Sequence, residues 1–345
     1  MAFSERRAVV AGASGFIGQR LVQDLTKQGY SVATIGRSHA HARWGDSAAV
    51  HALVDGADLL VNLSGKSVNC RYTDTNRDEI VRSRVETTRA LRTAVAAAVT
   101  PPRVWLNAST STIYRYALDR PMTDAAPSHP ADADSILGSG FSADVARAWE
   151  AEFFAGDLPA TRRVALRLAI VLGDGPATGL LLRLARLGLG GPQFDGWWFA
   201  HRRYRGVGAP HSGPNTAAGH ASRGWQKFSW IHIDDVLGSI RFLSQHDEIT
   251  GPVNLTAPEA SDNRELMATL RRAVGAKVAL PAFRWMLEPA MWLLGTEPEL
   301  VLKSRWVLPE RLLQAGYRFR WPTLEPAVRD VARPGPARRP GARAR

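Results

Sequence analysis

Residues 7–36 read RAVVAGASGFIGQRLVQDLTKQGYSVATIG, and this stretch decides the fold. Arg7 to Ala11 has the composition of a short buried strand. Gly12, Gly15 and Gly18 follow at the spacing GxxGxxG. Ile17, Leu21 and Leu25 then recur on one helical face, and Gly29 closes the helix. Ser31 to Ile35 reads as a second strand. Strand, glycine turn, helix and strand in this order make a dinucleotide-binding βαβ unit. Gly12 permits the tight turn, Gly15 lets the backbone approach a pyrophosphate, and Gly18 lets the helix pack closely on the sheet. Ser14, Phe16 and Ile17 complete the loop. The helix N-terminus offers free N–H groups and a partial positive charge to phosphates.

The residue after the second strand selects the cofactor. An acid there would bind the 2′-hydroxyl of NAD. The chain instead has Gly36-Arg37-Ser38, with Arg43 nearby. Arginine suits a 2′-phosphate through paired charged hydrogen bonds, so NADP is expected and NAD disfavoured. The other reading of Arg37 is a plain surface arginine. A third strand, Ala57 to Leu63, ends in Asn62-Leu63-Ser64-Gly65-Lys66, small enough for backbone contact on the adenosine side. Lys66 is either a pyrophosphate ligand or a solvated lysine.

Working outward, the 345 residues suit one large α/β domain or one and a half. Hydrophobic residues make up 45% and charged residues 22%, which fits a globular core and argues against overall disorder. A single cysteine, Cys70, excludes an internal disulfide and a cysteine-built zinc site. No apolar run is long enough to cross a membrane. The amino terminus enters a strand almost at once, so no secretory signal and a cytoplasmic protein are expected.

The net charge of +12 suggests nucleic acid until it is located. Val331 to Arg345 carries five arginines, no acid, and several prolines and glycines. This segment is expected to be a disordered basic tail, so no specific nucleic-acid function follows from the charge. A small-molecule partner is expected instead, with a monomer or homodimer as the assembly.

With the glycine motif, the strand-end Asn62-Leu63-Ser64-Gly65 and Trp230-Ile231-His232-Ile233-Asp234-Asp235, the chain resembles the extended short-chain dehydrogenase/reductase superfamily. Arg82 to Arg89, Phe141 to Val145 with Trp149-Glu150, Arg167 to Gly173, Val253 to Pro258, Leu308 to Leu312 and Ala315 to Phe319 sharpen it. On these motifs it resembles the YfcH-like epimerase family, over about residues 7–192 and 223–330. The resemblance implies a Rossmann-like doubly wound parallel sheet, bound NADP, and a small, mostly helical C-terminal substrate region. It divides the chain into a core at 1–175, a returning segment at 176–253, a family-specific region at 254–330 and the tail at 331–345. It implies oxidoreductase or epimerase chemistry on a carbonyl compound or sugar nucleotide.

The superfamily's chemistry uses a hydroxyl residue and a YxxxK pair, the lysine lowering the tyrosine pKa. Thr110 falls at the hydroxyl position, with Ser109 beside it. The YxxxK slots hold Phe141 and Val145, which have neither proton nor charge to offer. Arg84 stands in for the superfamily's asparagine. Two readings stay open. Catalysis survives with Thr110 and Tyr114 as its hydroxyls, or the protein is a non-catalytic NADP-binding sensor or partner-binding protein. Relatives catalogued as cell-division inhibitors extend the second. Tyr114 has a milder reading too, as a ring packed beside the nicotinamide.

His232 with Asp234 and Asp235 reads as a strand entering a helix with an aspartate as N-cap, in preference to a metal or acid–base site. The spacing of His201, His211 and His220 fits no metal signature, and no metal is expected. Leu180 to Leu187 is helical. Gln193 to Ser222, with Trp197-Trp198-Phe199, is an insertion that serves either as a lid or interface over the cleft or as a surface loop. Helices are expected at 261–274, 284–294 and 308–315, the first capped by Ser261-Asp262-Asn263. Trp285, Met286, Trp292, Leu293 and Trp306 are expected in the core or lining the cleft.

Overall fold

The computed structural model describes residues 6–125, 136–138, 140–196, 222–293, 295 and 302–333. The first half runs β1 (Arg7–Ala11), α1 (Phe16–Lys27), β2 (Ser31–Gly36), β3 (Ala42–Arg43), α2 (Ser47–Val54), β4 (Leu59–Asn62), α3 (Asp74–Ala97), β5 (Val104–Thr110) and a short turn of helix at Ser111–Ile113. Then come α4 (Phe141–Phe154), β6 (Arg162–Leu168), β7 (Ile170–Leu172), α5 (Pro176–Arg186), β8 (Gln193–Phe194), β9 (Lys227–Phe228), β10 (Trp230–His232), α6 (Ile233–Gln245) and β11 (Gly251–Leu255). The chain closes with β12 (Ser261–Asp262), α7 (Asn263–Ala273), β13 (Ala282–Phe283), α8 (Arg284–Leu293), α9 (Glu310–Gln314) and α10 (Leu324–Ala332).

Seven parallel strands form the main sheet in the order β3-β2-β1-β4-β5-β6-β11. This is the expected doubly wound Rossmann arrangement. Successive side chains of a strand point to opposite faces. Val10, Val61 and Leu106 therefore pack with Leu21 and Leu25 of α1 and Ile240 of α6. Val9, Leu60 and Trp105 pack with Val54 of α2, Leu91 of α3 and Phe153 of α4. Each of these fully buried aliphatic side chains contributes about 1.5–3 kcal/mol. The direction of winding reverses between β1 and β4. A crevice opens there, outside the carboxyl ends of the strands.

A second core joins Leu182 of α5, Trp230, Leu266 and Leu270 of α7 and Val328 of α10. Asp262 caps α7, accepting from the Glu265 amide at 3.0 Å. At α6 the cap differs from expectation. His232, not an aspartate, is the N-cap, its Nδ1 accepting from the Asp234 amide at 3.2 Å. Asp235 instead accepts from the Arg320 and Trp321 amides at 2.7 and 2.9 Å, and so ties the C-terminal segment to α6. Burial holds the His232 pKa below its usual value, against the pull of Asp234 and Asp330.

The last helix continues to Ala332, so Val331 and Ala332 belong to the fold and not to the expected tail. Residues 334–345 lie outside the described residues, as do 197–221 of the insertion with Trp197, Trp198, Phe199, His201, His211 and His220. Trp285, Trp292 and Leu293 are more than half exposed, contrary to a core role. Their helix, α8, is amphipathic and buries Arg284, Glu288 and Met291 instead. Among the described residues no helix is long and apolar enough to cross a membrane.

Candidate cofactor and substrate cleft

The three glycines do three different things. Gly12 has φ +81°, and a Cβ on it would lie 2.7 Å from the Leu63 carbonyl carbon at the end of β4. A Cβ on Gly18 would lie 2.4 Å from the Gly12 oxygen, so this glycine packs against the turn's own backbone, not against the sheet as expected. A Cβ on Gly15 would meet only the Gly12 oxygen, at 3.4 Å. Gly15 faces open space and caps α1 without a side-chain hydrogen bond, and no acid sits in the first turn. The first amides of α1 are left for an anion. Ser14 is exposed, its carbonyl accepting from Gln19 Nε2 at 2.9 Å. Phe16 packs on Gly173, where a Cβ would come within 2.6 Å of the ring. Ile17 joins the glycines in the wall of a cleft of about 330 Å³.

Arg37 follows β2 and is exposed, and β3 is registered on β2 so that Arg43 lies opposite Gly36. Two cations thus share the carboxyl edge of neighbouring strands, and among the described residues neither is in an ion pair. Lys66 has a partner that neither of its readings foresaw. Its ammonium pairs with Glu79 of α3, whose carboxyl is held below its usual pKa chiefly by that hydrogen bond.

The strand ends beneath the cleft are tied by a buried polar network. Asn62 Nδ2 donates to Asn107 Oδ1 at 2.7 Å and to Thr88 Oγ1 at 3.3 Å, and Trp149 Nε1 donates to the same Thr88 oxygen at 3.0 Å. Asn62 Oδ1 accepts from the Ser64 amide at 3.0 Å. Asn62 is therefore a brace, fully buried, and Leu63 is the residue of this strand end that reaches the cleft. Ser64 Oγ is buried without a hydrogen-bond partner. Gly65 lies against Arg84, whose Cζ would be 3.1 Å from an added Cβ.

A second network corrects the expectation for Tyr114. Ser109 Oγ donates to Glu150 Oε1 at 2.5 Å, and Glu150 accepts two further bonds from Arg167, at 2.8 and 2.7 Å. Arg167 Nη1 donates to the Tyr114 hydroxyl at 2.9 Å, and that hydroxyl donates to Asn254 Oδ1 at 2.9 Å. Tyr114 is fully buried and does not line the cleft. Burial raises its pKa, against the opposing effect of Arg167. The phenol cross-links β6 and β11, and its ring stands outside the cleft wall where a proton donor or a nicotinamide neighbour was expected. The sequence motif brought Tyr114 to the right strand end, but the apolar cluster of Ile113, Met122 and Val307 draws its ring inward.

Thr110 remains in the cleft wall, its Oγ1 accepting from the Thr112 amide at 3.2 Å. Facing it are Phe141 and Val145 of α4. Tyr72 packs edge-on against Phe141, with ring centroids 4.9 Å apart. Arg84 reaches across from α3, its Cζ 5.0 Å from the Trp149 ring centroid, while Nη1 donates to the Lys66 and Ile80 carbonyls at 3.0 Å each. Burial pushes the Arg84 pKa down to about 10. Among the described residues no carboxylate is in ion-pair contact with it. Tyr72 and Trp149 were missed as cleft residues because neither sits in a nucleotide motif. The departure at Arg84, a long cation in a small amide's place, was their signal. Among the described residues no His, Cys, Asp or Glu cluster is arranged to hold a metal.

Comparison with known proteins agrees with this geometry. Residues 8–135 match the NAD dependent epimerase/dehydratase family, and residues 282–331 match a domain of unknown function, DUF1731. The epimerase family protein SDR39U1 of Bos taurus is 30% identical over 335 residues, covering 94% of this chain and 99% of the relative. The epimerase family protein YfhF of Bacillus subtilis is 26% identical, covering 93% and 96%. A crystal structure of human SDR39U1 with NADPH superposes with a TM-score of 0.75 at 27% identity, covering 94% of this chain and 99% of that one. A UDP-glucose 4-epimerase from Thermotoga maritima shares the fold, with a TM-score of 0.65 at 13% identity over 94% and 97%.

Proposed function

For a chain that belongs to the NAD dependent epimerase/dehydratase family, in a branch that carries the DUF1731 domain, we propose that it binds NADP(H) and reduces or epimerises a small carbonyl compound or sugar nucleotide. One observation carries the reading. The uncapped start of α1, with Gly15 open before it, leads into a cleft whose far wall holds Thr110, Tyr72 and Arg84. The co-crystallised NADPH of the human relative supports the choice of cofactor.

The residues present fit that group. The α1 amides would hold its pyrophosphate, and Arg37 with Arg43 its 2′-phosphate. The bound nicotinamide would supply or accept a hydride. Thr110 Oγ1 would orient the substrate oxygen by a hydrogen bond. Leu168, Val145 and Phe141 give an apolar wall that excludes water and strengthens each polar contact inside. In this reading the protein sits in the YfcH-like branch and works in the cytoplasm, as a monomer or homodimer, on a small molecule.

A second reading has an observation of its own. Phe141 and Val145 offer no proton and no charge, which suits an NADP(H)-binding sensor or partner-binding protein. A fluorescence titration with NADPH and NADH tests the shared premise, and tighter NADPH binding is expected. A screen of carbonyl compounds and sugar nucleotides, followed by loss of reduced-nicotinamide absorbance, then separates the two. Tight NADPH binding with no turnover favours the sensor.

A further inference from the structure

We infer that Tyr72 and Arg84 form the proton-donating pair of this cleft, with Tyr72 the catalytic acid and Arg84 the cation that supports it. The inference rests on the reductase reading above and supplies the acid that reading lacks.

Among the described residues that line the cleft there is no Asp, Glu, His or Lys. The side-chain O–H donors there are Ser109, Thr110, Thr112, Ser142 and Tyr72. Ser109 is bound to Glu150. Aliphatic hydroxyls are far weaker acids than a phenol, which ordinarily titrates near pH 10. Tyr114, the other phenol at this strand end, is turned away into its buried network. Tyr72 is left as the effective acid.

The Tyr72 ring packs against Phe141, and Arg84 stands over Trp149, one turn beyond Val145 on α4. A phenol and a cation therefore stand beside the two α4 positions that carry neither. Both come from the other wall, Tyr72 from the segment before α3 and Arg84 from α3 itself. A buried guanidinium with no carboxylate in ion-pair contact among the described residues lowers the cost of a developing phenolate beside it. Charged and titratable groups around this corner include Arg84, Arg77 and the first-turn Asp74 on α3, and Cys70 and Arg71 on Tyr72's own segment. Glu79 is held by Lys66, and Asp144 of α4 by Arg147.

The carbonyl carbon takes a hydride from the reduced dinucleotide, the C=O π pair moves to oxygen, and that oxygen takes the Tyr72 proton. The products are an alcohol, the oxidised dinucleotide and a tyrosinate, which recovers its proton from water.

The test uses the full chain with NADPH and isatin, an activated ketone. Tyr72→Phe keeps the ring against Phe141 and is expected to lower isatin turnover by about 10²–10⁴-fold, with NADPH affinity unchanged. Arg84→Lys is expected to retain most of the turnover, and Arg84→Met to lose it. Wild-type turnover in Tyr72→Phe overturns the pair and leaves the reductase reading standing. A second readout needs no substrate. Ultraviolet difference titration follows the phenol that disappears in Tyr72→Phe, and in Arg84→Met that phenol is expected to ionise at higher pH than in the wild type. Identical ionisation in both proteins overturns the pair. If the shift is present but the wild type leaves isatin unreduced, the reductase reading fails and Tyr72 falls as its acid, while the coupling of Tyr72 to Arg84 stands.

Discussion

At the β1–α1 end of the cleft, recognition is built from backbone. At Gly12 and Gly18 a Cβ would strike main-chain atoms, whereas at Gly15 it would meet only the Gly12 oxygen, at 3.4 Å, in the wall of the cleft. At the α3–α4 end the wall is built from side chains that converge from distant segments: Tyr72, Arg84, Phe141 and Trp149. Beneath both ends run buried networks, Asn62–Asn107–Thr88 on one side and Ser109–Glu150–Arg167–Tyr114 on the other. A backbone-built site tolerates little substitution. A side-chain-built site can relocate a functional group while keeping the space it acts in.

The contrast can be broken most severely at its support. Glu150→Leu leaves Arg167 as an uncompensated buried cation, which costs about 3–5 kcal/mol. Urea unfolding should report that loss; a midpoint near wild type would mean that the ion pair at 2.7 Å does not hold the strand ends together.

Gly15→Val should abolish NADPH binding, by more than about a hundred-fold, while the circular-dichroism spectrum stays native. The fold tolerates a side chain there, since the nearest atom to a Cβ is 3.4 Å away, whereas the ligand does not. Unchanged calorimetric affinity would remove the backbone reading of this end.

Arg37→Ala addresses one of the two arginines proposed to hold the 2′-phosphate. A charged hydrogen bond to the 2′-phosphate is worth about 1.5–3 kcal/mol. NADPH affinity should therefore fall about ten- to a hundred-fold, with NADH affinity unchanged. Equal losses for the two cofactors would return Arg37 to the solvent.

The smallest effect separates Tyr114 from Tyr72. Tyr114→Phe strips the partner from Asn254 and from one Arg167 donor, costing about 1–3 kcal/mol in stability. NADPH affinity and any turnover should stay as in the wild type. A selective loss of turnover would restore Tyr114 to the chemistry and unseat the network as its role.

The nucleotide end was legible because its determinants are contiguous. Strand, turn and helix follow one another, and their hydrogen bonds and torsions are set by neighbours in the chain. The place of Arg37, exposed after β2 and near Arg43, was legible for the same reason. The α3–α4 end was legible only as an absence, at Phe141 and Val145. Tyr114 misled because proximity to a strand end says nothing about which way a ring turns. That choice was made by Ile113, Met122 and Val307 and by the waiting Arg167 and Asn254. The cap of α6 misled in a related way. Asp235 was available for capping, but the amides of Arg320 and Trp321 claimed it.

What the sequence by itself determined, then, is the βαβ unit, the parallel doubly wound sheet, and the glycine turn with an arginine after the second strand. These follow from hydrophobic periodicity, glycine spacing and one arginine, each a property of a short stretch of chain. The tertiary structure alone decided which hydroxyls face the cleft, that Lys66 turns to Glu79, and that Tyr72 and Arg84 meet beside Phe141 and Trp149. Those outcomes depend on long-range packing, in which burial cost and partner availability choose among orientations that the local sequence leaves equal.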